Sequence, residues 1–153
     1  MPLNVKLLRQ VKKHILAEPK RLRMDTWIKR GMAGETAHFS SGGYGEPTEC
    51  TIPDCGTVGC IAGWVTLLGK PDEHLDFSVE SAARALLDYN PYFQPFSLFF
   101  ADHWPMAQQQ KYYDAKTAED RAKIVGQVID IYIREYNKKE KQYEARYNDA
   151  NKA

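Results

Sequence analysis

The run Thr57–Leu68 constrains this chain more than any other stretch. Val58, Cys60, Ile61, Ala62, Trp64, Val65, Leu67 and Leu68 leave no polar side on a helical cylinder. A helix apolar on every side must be buried, so the rest of the chain has to wrap around it. Gly69 and Pro71 supply the stop. Gly59 and Gly63 share one helical face, where another backbone can come close.

The segments around it have the pattern of partners. Leu7, Leu8, Val11 and Ile15 form one face of a helix over 4–17, with Lys6, Arg9 and Lys13 opposite. Asn4 is placed to cap this helix and Pro19 to end it. Residues 20–30 stay basic and read as a short helix or turn anchored by Trp27. Val79, Ala82, Ala83, Leu86 and Leu87 predict a helix over 79–88, capped by Ser78 and ended by Asn90-Pro91.

An aromatic connector over 92–105, with one helical turn near Leu98–Phe100, leads to a helix opened by Pro105 and running to Tyr113. The last helix begins at Thr117, which stands three residues before Asp120 in a capping-box-like arrangement. Ala118, Ala122, Val125, Val128, Ile129, Tyr132 and Tyr136 form its apolar stripe.

The fold class expected is therefore mainly α. It is a single helical domain over 1–137 around a buried central helix at about 57–68. A charged tail, helical or disordered, follows over 138–153. The glycine- and proline-rich stretch 31–54 reads as a long loop with room for a small β-hairpin.

Charge excludes some functions and leaves others open. The net charge is +1, so the chain as a whole is no polyanion binder by charge alone. Residues 1–30, however, carry nine Lys or Arg against Glu18 and Asp25, and residues 31–60 carry only acids. The basic region can meet phosphates of a nucleic acid or a nucleotide; its plainer reading is a solvated helix face. No apolar run approaches the roughly 20 residues of a membrane span. The three cysteines, an odd number, argue against a disulfide scaffold and for a reduced, cytoplasmic setting.

Cys55-Gly56-Thr57 is the place where chemistry can be sought. If the buried helix begins at Thr57, its first amides face the preceding turn, and a helix N-terminus attracts anions and lowers a thiol pKa. In a binding reading, Gly56, Thr57 and Val58 hold a phosphate or carboxylate, and Trp64 or Trp104 stacks on a ring. In a catalytic reading, Cys55 is a nucleophile and His103, beside Asp102, its base, as in papain-like cysteine hydrolases. His74 is the other histidine available for that role. In a metal reading, Cys50, Cys55, Cys60 and His38 bind zinc, although Cys-x4-Cys-x4-Cys is wider than the usual zinc knuckle. The structural reading makes Cys60 and Trp64 plain core residues. The aromatic connector, with Phe93, Phe96, Phe99, Phe100 and Trp104, is either core or a binding platform. Neither a Gly-x-x-x-x-Gly-Lys-Ser/Thr nor a Gly-x-Gly-x-x-Gly pattern names a nucleotide.

Several blocks occur together in a recognisable order. They are Leu-Leu-Arg-Gln-Val-Lys-Lys-His-Ile at 7–15, Met24-Asp25-Thr26-Trp27, Cys-Gly-Thr-x-x-Cys-x-Ala-Gly-Trp at 55–64, Leu98-Phe99-Phe100 with Trp104-Pro105, and Ala118 to Ile133. In this order the chain resembles a family of small, uncharacterised bacterial and bacteriophage proteins, over most of residues 5–135. The resemblance implies a helical fold and a cytoplasmic setting, and no particular reaction. A phage setting would fit interference with a host system, for instance by sequestering a signalling nucleotide.

The expectation carried forward is a binding protein, without a cofactor, that engages a small anionic ligand or a protein partner. A cysteine hydrolase using Cys55 and His103 and a zinc-stabilised interaction module are the alternatives.

Overall fold

A computed structural model describes residues 3–24, 28–29, 58–69 and 79–152. The chain is mainly helical. The elements in order are α1 (Val5–Ala17), a 3-10 turn (Pro19–Arg21), β1 (Ile28–Lys29), β2 (Val58–Gly59), α2 (Ile61–Gly69), α3 (Val79–Leu87), 3-10 turns at Pro91–Phe93 and Ala101–His103, α4 (Met106–Asp114) and α5 (Ala118–Ala150). Among the described residues no helix is long and apolar enough to cross a membrane.

The predicted caps explain where helices begin. The Asn4 side chain accepts from the Leu7 N–H at 3.1 Å. The same residue donates its backbone N–H to the Leu87 carbonyl at 2.8 Å and its amide to the Leu86 carbonyl at 3.2 Å. One asparagine thus opens α1 and satisfies carbonyls that the end of α3 leaves without helical partners. Thr117 accepts from the Asp120 N–H at 3.1 Å and opens α5. Asp88 follows α3 with φ 51°, the left-handed conformation that ends a helix and that a short polar side chain tolerates.

The central helix is present and buried, but its start differs from the sequence expectation. It runs Ile61–Gly69, and Val58–Gly59 is extended instead of helical. The reason lies at Gly59. Its carbonyl accepts from the Arg23 N–H at 2.9 Å, and its backbone bridges to Leu22 on one side and pairs with Ile28 on the other. Cys60 then becomes the cap. Its carbonyl accepts from the Trp64 N–H at 2.9 Å, and its Sγ accepts from the Gly63 N–H at 3.4 Å. A thiol stands where Ser, Thr or Asp usually sits.

Burial on all sides follows as the sequence demands. Ile61, Ala62, Trp64, Val65 and Thr66 are fully covered, and the Thr66 hydroxyl donates to the Ala62 carbonyl at 2.9 Å. α2 packs on α1 and α3, α1 packs on α5, and α4 packs on α5. Leu7, Leu8, Val11 and Ile15 of α1 meet Ala122, Val125, Ile129, Tyr132 and Tyr136 of α5 in one core. A Cβ on Gly69 would come within 2.9 Å of Leu86 and 3.1 Å of Leu7. Gly69 therefore lies where the side-chain tips of Leu86 and Leu7 come close, at the last described residue of α2. α5 continues unbroken to Ala150, past the core and into the charged segment that begins at Lys138.

The expected loop over 31–54 with its hairpin, the Trp27 anchor, the Ser78 cap and the Pro71 stop lie outside the described residues.

Candidate functional site

Trp64 is not placed to stack on a ligand. It has 0% exposure, and two charged or titratable side chains lie against its ring. The His14 ring lies 4.2 Å away, tilted by 50°, and the Arg21 guanidinium sits 5.3 Å from the indole centroid. The indole Nε1 donates to the Arg21 carbonyl at 3.1 Å. Trp104 is likewise buried, at 3% exposure, and its Nε1 donates to the Leu98 carbonyl at 2.9 Å. An indole whose N–H is satisfied inside a core is a structural member.

His14 and Arg21 share the shell around Trp64. Arg21 is buried at 8% exposure and pairs with Glu18 at 2.9 Å. The His14 Nε2 atom is buried without a hydrogen-bond partner. Burial first, and the nearby Arg21 charge second, hold the His14 pKa below its ordinary value, while Glu18 pulls the other way.

The N-terminus of the central helix, where an anion site was expected, begins later than Thr57. Val58 belongs to β2, and the helix opens at Cys60. Gly56 and Thr57 lie outside the described residues, as do Cys50, Cys55, His38 and His74. Cys60, the fourth of the proposed zinc ligands, is buried and engaged as a cap. Among the described residues no group of His, Cys, Asp and Glu is placed to hold a metal ion. His103 is exposed on its 3-10 turn, with its ring 5.7 Å from that of Phe100.

A different concavity gathers charged and aromatic side chains. It is a cleft of about 690 Å³ between four pieces of chain. Lys20, Leu22, Arg23 and Met24 form one wall, after α1. Phe100, Ala101 and Asp102 form another, at the last 3-10 turn. Tyr112 and Tyr113 come from the end of α4, and Ala118 and Arg121 from the start of α5. Among the described residues its lining carries three cations, Lys20, Arg23 and Arg121, and one carboxylate, Asp102. The volume falls within the range of about 300–1,000 Å³ typical of small-molecule pockets. A second concavity of about 690 Å³ lies between Leu3–Lys6 and Ala85–Asp88, but it offers one cation, Lys6, against Asp88.

The buried motif holds the first wall of this cleft in place. The Arg21 carbonyl is tied to Trp64, and the Arg23 N–H to Gly59. Leu22 bridges to Gly59 between them. The other walls are braced too. The Arg121 guanidinium donates to the Ala115 carbonyl at 3.1 Å, across the turn between α4 and α5. Tyr112 meets Trp104 edge to face at 5.3 Å. The Tyr113 hydroxyl donates to the Asp102 carboxylate, which pushes its pKa up to about 12.

Each half of this cleft left a trace in the sequence. The basic stretch after α1 and the aromatic connector were both visible as candidate surfaces, yet some 80 residues separate Lys20 from Phe100. Tyr112, Tyr113 and Arg121 carried no signal of their own. A tyrosine pair and an arginine in ordinary helices become notable only when a cleft opens beside them.

Comparison with protein-family models, with curated proteins and with solved structures gave no match.

Proposed function

We propose that the protein is a binding protein for a small anionic ligand, held in the cleft lined by Lys20, Arg23 and Arg121. The observation that supports this reading is the convergence of three cations, from segments remote in sequence, on one concavity, with Asp102 the acid among its described lining residues. Lys20 and Arg23 are exposed and Arg121 is half-buried, so their attraction for an anion is felt through solvent and is screened by salt. Arg121 presents a planar guanidinium already tethered at one N–H, so less conformational freedom is lost when it engages an anion.

Titration calorimetry with pyrophosphate tests the reading. Saturable binding that weakens as salt rises is expected. The double variant Lys20→Gln, Arg23→Gln is expected to weaken binding by about tenfold or more, as loss of charge-assisted hydrogen bonds implies. Absence of binding at millimolar pyrophosphate, or unchanged binding in the variant, would overturn it.

A further inference from the structure

Tyr113 is the unusual side chain of the cleft. It is 59% exposed, and an exposed tyrosine ordinarily samples several rotamers. Here both ends of the side chain are held. Its hydroxyl donates to the Asp102 carboxylate. Its ring meets Tyr112 at 5.6 Å with the planes 73° apart. Tyr112 in turn meets Trp104 at 5.3 Å and 79°, and Trp104 is buried with its N–H bonded to Leu98. A relay of three rings thus runs from the core to the cleft surface and fixes the outermost ring in the cleft that Lys20, Arg23 and Arg121 also line.

A fixed ring does not help a bare anion, because its π face is negative. It helps a flat ligand, since stacking on a preset platform loses little conformational freedom. Asp102, the acid among the described lining residues, points the same way. Asp102 weakens anion binding unless the ligand also brings N–H donors, and a carboxylate has lone pairs left after one hydrogen bond from Tyr113.

On these grounds we propose that the cleft takes a nucleoside phosphate, with an amino-bearing base stacked on Tyr113 and the phosphates held by Lys20, Arg23 and Arg121. This rests on the anion-binding reading above and adds the ring to it.

The experiment compares ADP, GDP and pyrophosphate by titration calorimetry on the full chain and on Tyr113→Ala and Tyr113→Phe. One of the two nucleotides is expected to bind about tenfold more tightly than pyrophosphate, the contribution of one stacked base. Tyr113→Ala is expected to remove that advantage while pyrophosphate affinity stays within about twofold. Tyr113→Phe keeps the ring without the Asp102 tie and is expected to retain part of the advantage. Pyrophosphate binding with no gain from either base overturns the nucleotide proposal and leaves the anion reading standing. Failure of all three ligands overturns both. A nucleotide advantage that survives Tyr113→Ala, or binding of a short single-stranded oligonucleotide without binding of either nucleotide, also overturns the proposal.

Discussion

Trp64 and Tyr113 are both aromatic side chains held by a hydrogen bond, but Trp64 is fully buried and Tyr113 is 59% exposed. Trp64 is fully covered: His14 and Arg21 lie against its ring, and the Arg21 carbonyl accepts from its N–H. Around Tyr113 the anchors occupy the hydroxyl and one edge, and much of the ring stays open to solvent. The segment with the most particular residues is thus the scaffold, while the cleft is built from residue types common in any helical protein. Particular composition marks where packing is tight, and a binding surface needs only a few ordinary groups held at the right places.

The contrast is broken most directly at Trp64. Trp64→Ala is expected to lower stability by about 3–5 kcal/mol, the usual result of emptying a large core site. It would also release the Arg21 carbonyl and loosen the first wall of the cleft. Tyr113→Ala is expected to stay within about 0.5 kcal/mol of the parent chain, as exposed positions do. Urea denaturation measures both, and comparable losses at the two sites would erase the distinction between scaffold and surface.

A smaller effect tests the start of the buried helix. Cys60→Ala removes the acceptor for the Gly63 N–H and is expected to reduce stability by about 1 kcal/mol, as loss of an N-cap does. No loss in the same urea titration would show that the thiol contributes nothing as a cap.

The smallest expected effect is a pH dependence confined to the Trp64 region. The pKa of His14 is lowered from 6.5 by burial and by Arg21, so the fold favours the neutral ring. The unfolded chain therefore binds this proton at higher pH than the folded chain. The stability tied to neutral His14 is complete above about pH 6.5 and declines as the pH falls from there towards the lower, folded value. Thermal melts of the parent chain and His14→Leu between pH 7.5 and 5 should differ in slope, with the variant flatter. Parallel slopes would remove His14 from the account.

Much of the fold was legible in the sequence, for local reasons. Asn4 and Thr117 cap helices by contacts spanning three residues, and a cap is read from its neighbours alone. The α1 stripe of Leu7, Leu8, Val11 and Ile15 is buried as its periodicity requires. The start of the central helix was not legible, because pairing of Gly59 with Leu22 and Ile28 decides it. Propensity extends a helix back to Thr57, and hydrogen bonds from a distant segment draw Val58–Gly59 into extended chain. The role of Trp64 and Trp104 was hidden for a related reason. An indole beside charged residues suits a ligand site and a core equally well until its neighbours are known.

By itself, the sequence determined that this chain is mainly helical and that the segment before Gly69 must be buried. Those properties follow from side-chain period and polarity, which are local. Only the tertiary structure decided that Lys20, Arg23, Asp102, Tyr113 and Arg121 share one cleft. Their meeting depends on how α1, α4 and α5 pack, and helix packing is settled by the fit of whole surfaces instead of by any run of residues.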